Sequence, residues 1–382
     1  MTTFKSVHVL TSLWLCNRAR TPSILVAPSM SSELAPSPAA ASSPRSLRVL
    51  SQAQLDHLHR EGYVVVADVL TPQVIDALLS EYSGVLDEIV RELRAEGKLQ
   101  SDYRDLDFGA RLIAVCKDSG QNFPQRFDFS LPQGGIKRDT PLSVGPAVFR
   151  TITNDRLLDL VSDVLGTDEI WSNPVQHMRF KLPLHALAKD AGFSGMVSAV
   201  PFHQDNAVIL SEADSSDILT IWMPLMESTV ENGVMQVVPR SHLRELQQHC
   251  HTREGLAIPP SVLDPANAGA ISLPMPAGSA LLMTHRTIHK SLDNTTEGDV
   301  RASMDLRYQR TGTPSGRPAF AKAGFVARSL TNPESVLRDP KIWAQNWHDL
   351  RTELAEREEA VAKKQAEAAV WNRWDPKAVG CA

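Results

Sequence analysis

Between residues 170 and 309 the chain reads as a series of short strands, and that run limits its possible folds more than any other feature. Residues 175–182, 219–226, 234–238, 279–283 and 300–309 are strand candidates separated by clusters of Pro, Gly, Asn and Asp. Several short strands with turn residues between them argue for a sandwich or barrel, and a double-sheet jelly roll fits the spacing. The fold class expected is α+β with a mainly β core, a double-stranded β-helix with flanking helices.

A helix–strand–helix opening precedes the strands. Ser51 and Gln54 form a capping box, Leu55 and Leu58 mark a helix, and Gly62 ends it. Residues 63–70 follow as a strand. Thr71 and Pro72 then supply a cap and a proline at the first helical position, and apolar residues recur at helical spacing from Val74 to Leu93. This stripe is core that braces the sheet from outside. Residues 98–150 carry many prolines and glycines and read as a long irregular region. Its aromatics Tyr103, Phe108, Phe123, Phe127 and Phe129 either line a pocket or anchor the loop to the core. Asn154 caps a short helix that stops at Gly166. Residues 347–374 read as a charged, exposed C-terminal helix.

Composition removes several function classes. At 382 residues the chain is long enough for a sizeable core, and 42% hydrophobic with 22% charged residues is ordinary for a globular protein. A net charge of −5 gives no basic field for nucleic acid. No apolar run approaches the length of a membrane-spanning helix. Cys16, Cys116, Cys250 and Cys381 lie far apart, which argues against a disulfide scaffold or zinc ribbon and fits a reducing compartment. The first thirty residues contain basic residues and no acid, so residues 1–47 are expected to be a disordered or targeting extension. Location is expected to be intracellular, cytoplasmic or by mitochondrial import. Nothing in the sequence specifies an oligomeric state.

The residues that point to chemistry are His203 and Asp205. On an extended strand, side chains two positions apart project to the same face. An imidazole and a carboxylate side by side are two-thirds of the facial triad that holds non-haem Fe(II) and leaves positions open. The third ligand should be a histidine on a distant strand, and His285 and His289 are the candidates. Residues 301–308 alternate, with Arg301, Ser303, Asp305 and Arg307 on one face and Ala302, Met304, Leu306 and Tyr308 on the other. Either face could be internal, and a polar inner face suits an anionic ligand.

Four pieces in order carry a resemblance to a known family. They are Met178-Arg-Phe-Lys181-Leu-Pro183, then Pro201-Phe-His203-Gln-Asp205, then Leu219-Thr-Ile-Trp222-Met-Pro-Leu with Glu231-Asn-Gly233 and Pro239-Arg-Ser-His242. The last is His289-Lys-Ser291 ahead of Arg301-Ala-Ser-Met-Asp-Leu-Arg-Tyr308. Together, across residues 50–312, they resemble the phytanoyl-CoA dioxygenase family of Fe(II)/2-oxoglutarate oxygenases.

The resemblance implies a cupin-like jelly roll over residues 48–325, with residues 326–382 as a helical extension. It implies Fe(II), 2-oxoglutarate as cosubstrate, O2, and a small organic substrate that is hydroxylated. His289 is favoured over His285 as third ligand because Lys290-Ser291 and Arg301 follow it as in the family. Arg301 takes the role of binding the distal carboxylate of 2-oxoglutarate, although its spacing from His289 is one residue longer than in some relatives. Ser291 and Lys181 match positions that contact the cosubstrate, and Trp222 belongs to the site wall. Related halogenases carry a small residue at the position of Asp205, so retention of the carboxylate implies oxygenation. The alternatives are a catalytically silent ligand-binding or interaction module, and a cupin-like enzyme that uses another divalent metal.

Overall fold

A computed structural model describes residues 46–188, 195–252, 255–265, 268–364, 373–374 and 381. Its helices are α1 (Gln52–Glu61), α2 (Pro72–Ala95), α3 (Phe108–Ser119), α4 (Pro124–Phe127), α5 (Pro146–Ile152), α6 (Asp155–Leu165) and α7 (Pro340–Lys364). The first strands are β1 (Tyr63–Val66), β2 (Ile170–Ser172), β3 (His177–Lys181), β4 (Val200–His203), β5 (Leu219–Pro224), β6 (Met235–Val237) and β7 (Cys250–Thr252). They are followed by β8 (Gly255–Ala257), β9 (Ile271–Ser272), β10 (Ala280–Thr284), β11 (His289–Ser291), β12 (Arg301–Arg310) and β13 (Phe325–Arg328).

The larger sheet runs β1-β10-β5-β12-β2-β13, with β3 also paired to β12, and the smaller runs β4-β11-β6-β9. The pairs in both are antiparallel. Residues of the two sheets face each other across one cavity, with Thr220, Trp222, Arg301 and Arg307 from the larger sheet and His203 and His289 from the smaller. The expected jelly-roll core is therefore present. The main apolar core lies on the other side of the larger sheet, where Ile221, Leu282, Met304 and Leu306 pack with Leu78, Leu86 and Leu157 of the helices.

Local chemistry explains the opening elements. The Ser51 hydroxyl accepts from the Gln54 N–H, the Gln54 side chain accepts from the Ser51 N–H, and Gly62 closes α1 in the left-handed region. The apolar stripe of α2 is buried at Ile75, Leu78, Tyr82, Leu86, Ile89, Val90 and Leu93, as its spacing predicts. Asn154 caps α6 through the Leu157 N–H.

Three expectations need correction. Residues 98–150 hold three helices and not an unbroken loop. Asp107 caps α3 through the Ala110 N–H and left-handed Gly120 ends it, and the segment between them contains no proline, since those of this region begin at Pro124. The aromatics there are anchors: the rings of Phe108, Phe127, Phe180 and Tyr82 cluster together in the main core. The C-terminal helix is exposed on one side only, because Trp343, Trp347, Leu350 and Leu354 repeat at helical spacing and are all buried, and residues 365–372 of the expected helix lie outside the described residues. That stripe starts before Trp347, so a reading begun there loses its first member. The cysteines do not all stay reduced thiols: Cys250 and Cys381 form a disulfide, with their Cα atoms 5.1 Å apart. A sequence separation of 131 says nothing against proximity in space. Cys116 is a buried free thiol, and Cys16 with the rest of residues 1–45 lies outside the described residues. Among the described residues no helix is long and apolar enough to cross a membrane.

Candidate metal centre

β4 and β11 lie side by side with His203 and His289 as direct cross-strand partners, and their ring centroids are 4.2 Å apart. The pairing brings together two histidines that are far apart in sequence. Asp205 does not continue the strand, because β4 stops at His203 and Asp205 opens a 3-10 turn. The turn is fixed by the Asn206 N–H donating to His285 O at 2.8 Å and the Ala207 N–H to Gln204 O at 2.9 Å. The same-face argument for an extended His-X-Asp thus arrives at the right neighbours by a different geometry. Asp205 Oδ1 lies 3.8 Å from His203 Nε2 and 4.0 Å from His289 Nε2.

Backbone contacts set the imidazoles. Nδ1 of His203 faces Pro201 O at 2.9 Å and Nδ1 of His289 faces Thr287 O at 2.9 Å. A carbonyl only accepts, so each ring carries its proton on Nδ1 and presents a bare Nε2. Burial, reinforced by His289, pushes His203 down to about 3 against the pull of Asp205, so it stays neutral as a metal ligand must. Burial alone would raise the Asp205 carboxyl. The Arg307 guanidinium and the Thr220 hydroxyl work against it and hold Asp205 well below the usual carboxylate range. Two nitrogens and one carboxylate oxygen on one side of a cavity suit a facial Fe(II) site. His203, Asp205 and His289 form the one cluster of metal-ligand type among the described residues, and His285 stands outside it.

The cavity is also lined by Arg179, Val200, Met235, Met283, Ser291 and Asp305. Of its three guanidiniums, Arg179 pairs with Asp305 and Arg307 with Asp205. Arg301, 1% exposed, has no salt bridge to a carboxylate among the described residues. It lies over the Trp222 ring at 5.1 Å, donates from Nη1 to Ser303 Oγ at 2.7 Å, and leaves Nε buried without a partner. Burial lowers its pKa to about 10, so it remains a cation at neutral pH. A buried, under-bonded cation beside a three-ligand cluster is a seat for an anion.

The other expected residues fall around this seat. Ser291 lines the cavity, and Lys181 donates to Ser291 Oγ at 2.7 Å and to Leu292 O. Lys181 is 1% exposed, and burial drives its pKa well below the ordinary lysine value. It meets the cavity through Ser291. Trp222 lines the cavity. His242 sits in a 3-10 turn (Ser241–Leu243) and its Nε2 faces His59 O of α1 at 3.0 Å. Sequence reasoning missed Thr220, Arg179, Arg307 as a partner of Asp205, and His249, whose Nε2 accepts the Gln204 N–H between the two ligands. No local motif distinguishes these residues, and only the alternation around Arg307 hinted at one of them.

A larger cleft of about 550 Å³, lined by Arg48, Asp168, Arg328 and Leu337, contains none of the three clustered ligands. Size here does not mark the chemistry.

Comparison with known proteins matches residues 58–303, well over half of the chain, to a family profile described as phytanoyl-CoA dioxygenase (PhyH). A 1-deoxypentalenic acid 11-beta-hydroxylase from Streptomyces arenae is 31% identical over 135 residues, covering 33% of this chain and 44% of that protein. The chain thus matches less than half the length of this relative. Among solved structures, the apo form of the non-haem monooxygenase ThoJ superposes with a TM-score of 0.51 at 18% identity, covering 81% of this chain and 99% of that one. That likeness is one of fold.

Proposed function

The chain belongs to the phytanoyl-CoA dioxygenase family, and from that premise we propose that it is a non-haem Fe(II)/2-oxoglutarate-dependent dioxygenase that hydroxylates a small organic substrate. One observation carries the reading. Two bare imidazole nitrogens and one carboxylate oxygen converge beside a buried arginine with no carboxylate partner among the described residues. His203, Asp205 and His289 would hold Fe(II), and Arg301 would bind the distal carboxylate of 2-oxoglutarate. When bound, iron, 2-oxoglutarate and O2 supply the oxidation: the cosubstrate becomes succinate and CO2 as the substrate gains a hydroxyl.

The chain's own residues orient these groups. Trp222 backs the Arg301 guanidinium, and Lys181 fixes the Ser291 hydroxyl at the cavity wall. Val200, Met235 and Met283 give the cavity an apolar side suited to a substrate C–H bond. Retention of Asp205 supports oxygenation over halogenation, and the hydroxylase named among its relatives supports hydroxylation. The catalytic unit is taken as residues 48–325. For compartment, the N-terminal composition supports an intracellular protein, whereas the Cys250–Cys381 pair argues for oxidising surroundings. Fractionation of the tagged full-length chain decides between them.

The test is anaerobic titration with Fe(II) and then 2-oxoglutarate, following the weak visible charge-transfer band of the chelated cosubstrate, with His289→Ala as control. The band should form in the wild type and vanish in the variant. Metal binding without a band would favour a cupin-like enzyme using another metal, and no metal binding would favour a silent binding module.

A further inference from the structure

We propose that Thr220 and Arg307 are positioning residues that hold Asp205 as a one-oxygen metal ligand, keeping three coordination positions open. The inference rests on the Fe(II)/2-oxoglutarate reading above and concerns how this chain enforces it. Thr220 and Arg307 are direct cross-strand partners in the β5–β12 register, so one step of the ladder aims both side chains at the same carboxylate. Thr220 Oγ1 donates to Asp205 Oδ2 at 2.5 Å, and Arg307 Nη2 donates to Asp205 Oδ1 at 2.6 Å. All three residues are buried.

The two oxygens have different surroundings. Oδ1 is the atom facing both Nε2 nitrogens, and a carboxylate oxygen has lone pairs enough for a metal and the Arg307 N–H together. Oδ2 is engaged by Thr220. A free carboxylate binds a cation through one oxygen or both. For Asp205 to use both, the carboxylate would have to turn, which pulls Oδ1 off the line of the Arg307 N–H and Oδ2 off the Thr220 hydroxyl and weakens two buried hydrogen bonds at once. A second oxygen on the metal would take a position that the chelating cosubstrate needs. Arg307 is itself fixed, because its Nη1 donates to Val175 O at 2.6 Å, and so it sets the rotation of Asp205 rather than following it.

The experiment uses the full-length protein and two readouts other than turnover, Fe(II) affinity by equilibrium dialysis and 2-oxoglutarate affinity from the charge-transfer band. Thr220→Val should keep Fe(II) affinity within about threefold of wild type or tighten it, and should raise the 2-oxoglutarate dissociation constant at least about tenfold. Thr220→Ser should restore the wild-type value. Arg307→Gln should instead weaken Fe(II) itself by about 10–100-fold. Circular dichroism confirms that each variant is folded, and Thr220→Ala and Arg307→Lys give the same readings if the first choices are not. Unchanged 2-oxoglutarate affinity in Thr220→Val, or loss of Fe(II) there, would overturn the proposal. If the wild type binds neither Fe(II) nor 2-oxoglutarate, the functional reading falls first. If the wild type binds both and the variants match it, only the positioning roles fall.

Discussion

Arg301 illustrates how a single residue can announce a ligand. A buried guanidinium is expensive unless its charge is met, and Arg301 has no carboxylate salt bridge among the described residues, whereas Arg179 pairs with Asp305 and Arg307 with Asp205. A charge-assisted contact contributes about 1.5–3 kcal/mol. Arg301→Ala should therefore raise the 2-oxoglutarate needed for half-saturation by about 10–100-fold and leave Fe(II) affinity unchanged. Both are read in the same titration, and a parallel loss of iron would place Arg301 with the metal ligands instead. At this scale the candidate ligands were legible, because His203 and Asp205 are near neighbours in sequence and the local motif survives the bend at Asp205. The residues that orient Asp205 were not. Thr220 is one threonine in an apolar run, and nothing local tells it from a packing residue.

At the level of elements, β12 shows where pattern reading works and where it stops. Alternation defined its two faces. Burial then placed Met304 and Leu306 against the helices and Arg301 and Arg307 toward the cavity. The Asn232-Gly233 pair reads in sequence as a hairpin turn, but here it leads from β5 of one sheet to β6 of the other, which are not paired. Gly233 sits at φ +91°, where a Cβ would lie 2.6 Å from Lys181 Cδ and 2.7 Å from Leu292 O. Gly233→Ala should destabilise the protein by at least about 1–3 kcal/mol, from left-handed strain with the clash added to it. Urea unfolding would measure this, and a loss under 0.5 kcal/mol, a threshold on the order of an ordinary surface substitution, would contradict the geometry.

For the whole molecule, burial of neutral histidines makes a prediction about pH. Burial pushes His203 down to about 3 and His249 to about 4, both below the ordinary value of 6.5. Below pH 6.5 the unfolded chain therefore binds protons that the native protein refuses. Stability of the metal-free protein should be full above about pH 6.5 and should drain as pH falls, each histidine contributing up to about 1.4 kcal/mol per pH unit. Asp214, hydrogen-bonded to Arg373, and Asp305, where Arg179 outweighs burial, have carboxyls held below the usual range and extend the loss below about pH 4. Urea midpoints from pH 8 to 4 would show the decline, and a flat profile down to pH 5 would refute it.

The sequence by itself determined what depends on near neighbours in the chain: the strand spacing, the caps at Ser51 and Asn154, the stripe of α2 and the identity of the candidate ligands. Tertiary structure decided which groups meet. It turned the polar face of β12 inward, put Thr220 and Arg307 on the two oxygens of Asp205, buried the Trp343–Leu354 stripe and joined Cys250 to Cys381. Those contacts link residues from about fifteen to more than a hundred positions apart, and most depend on sheet register and on how the two layers close. Periodicity along the chain does not encode that closure, since a one-residue slip of register would preserve every local pattern and exchange every partner.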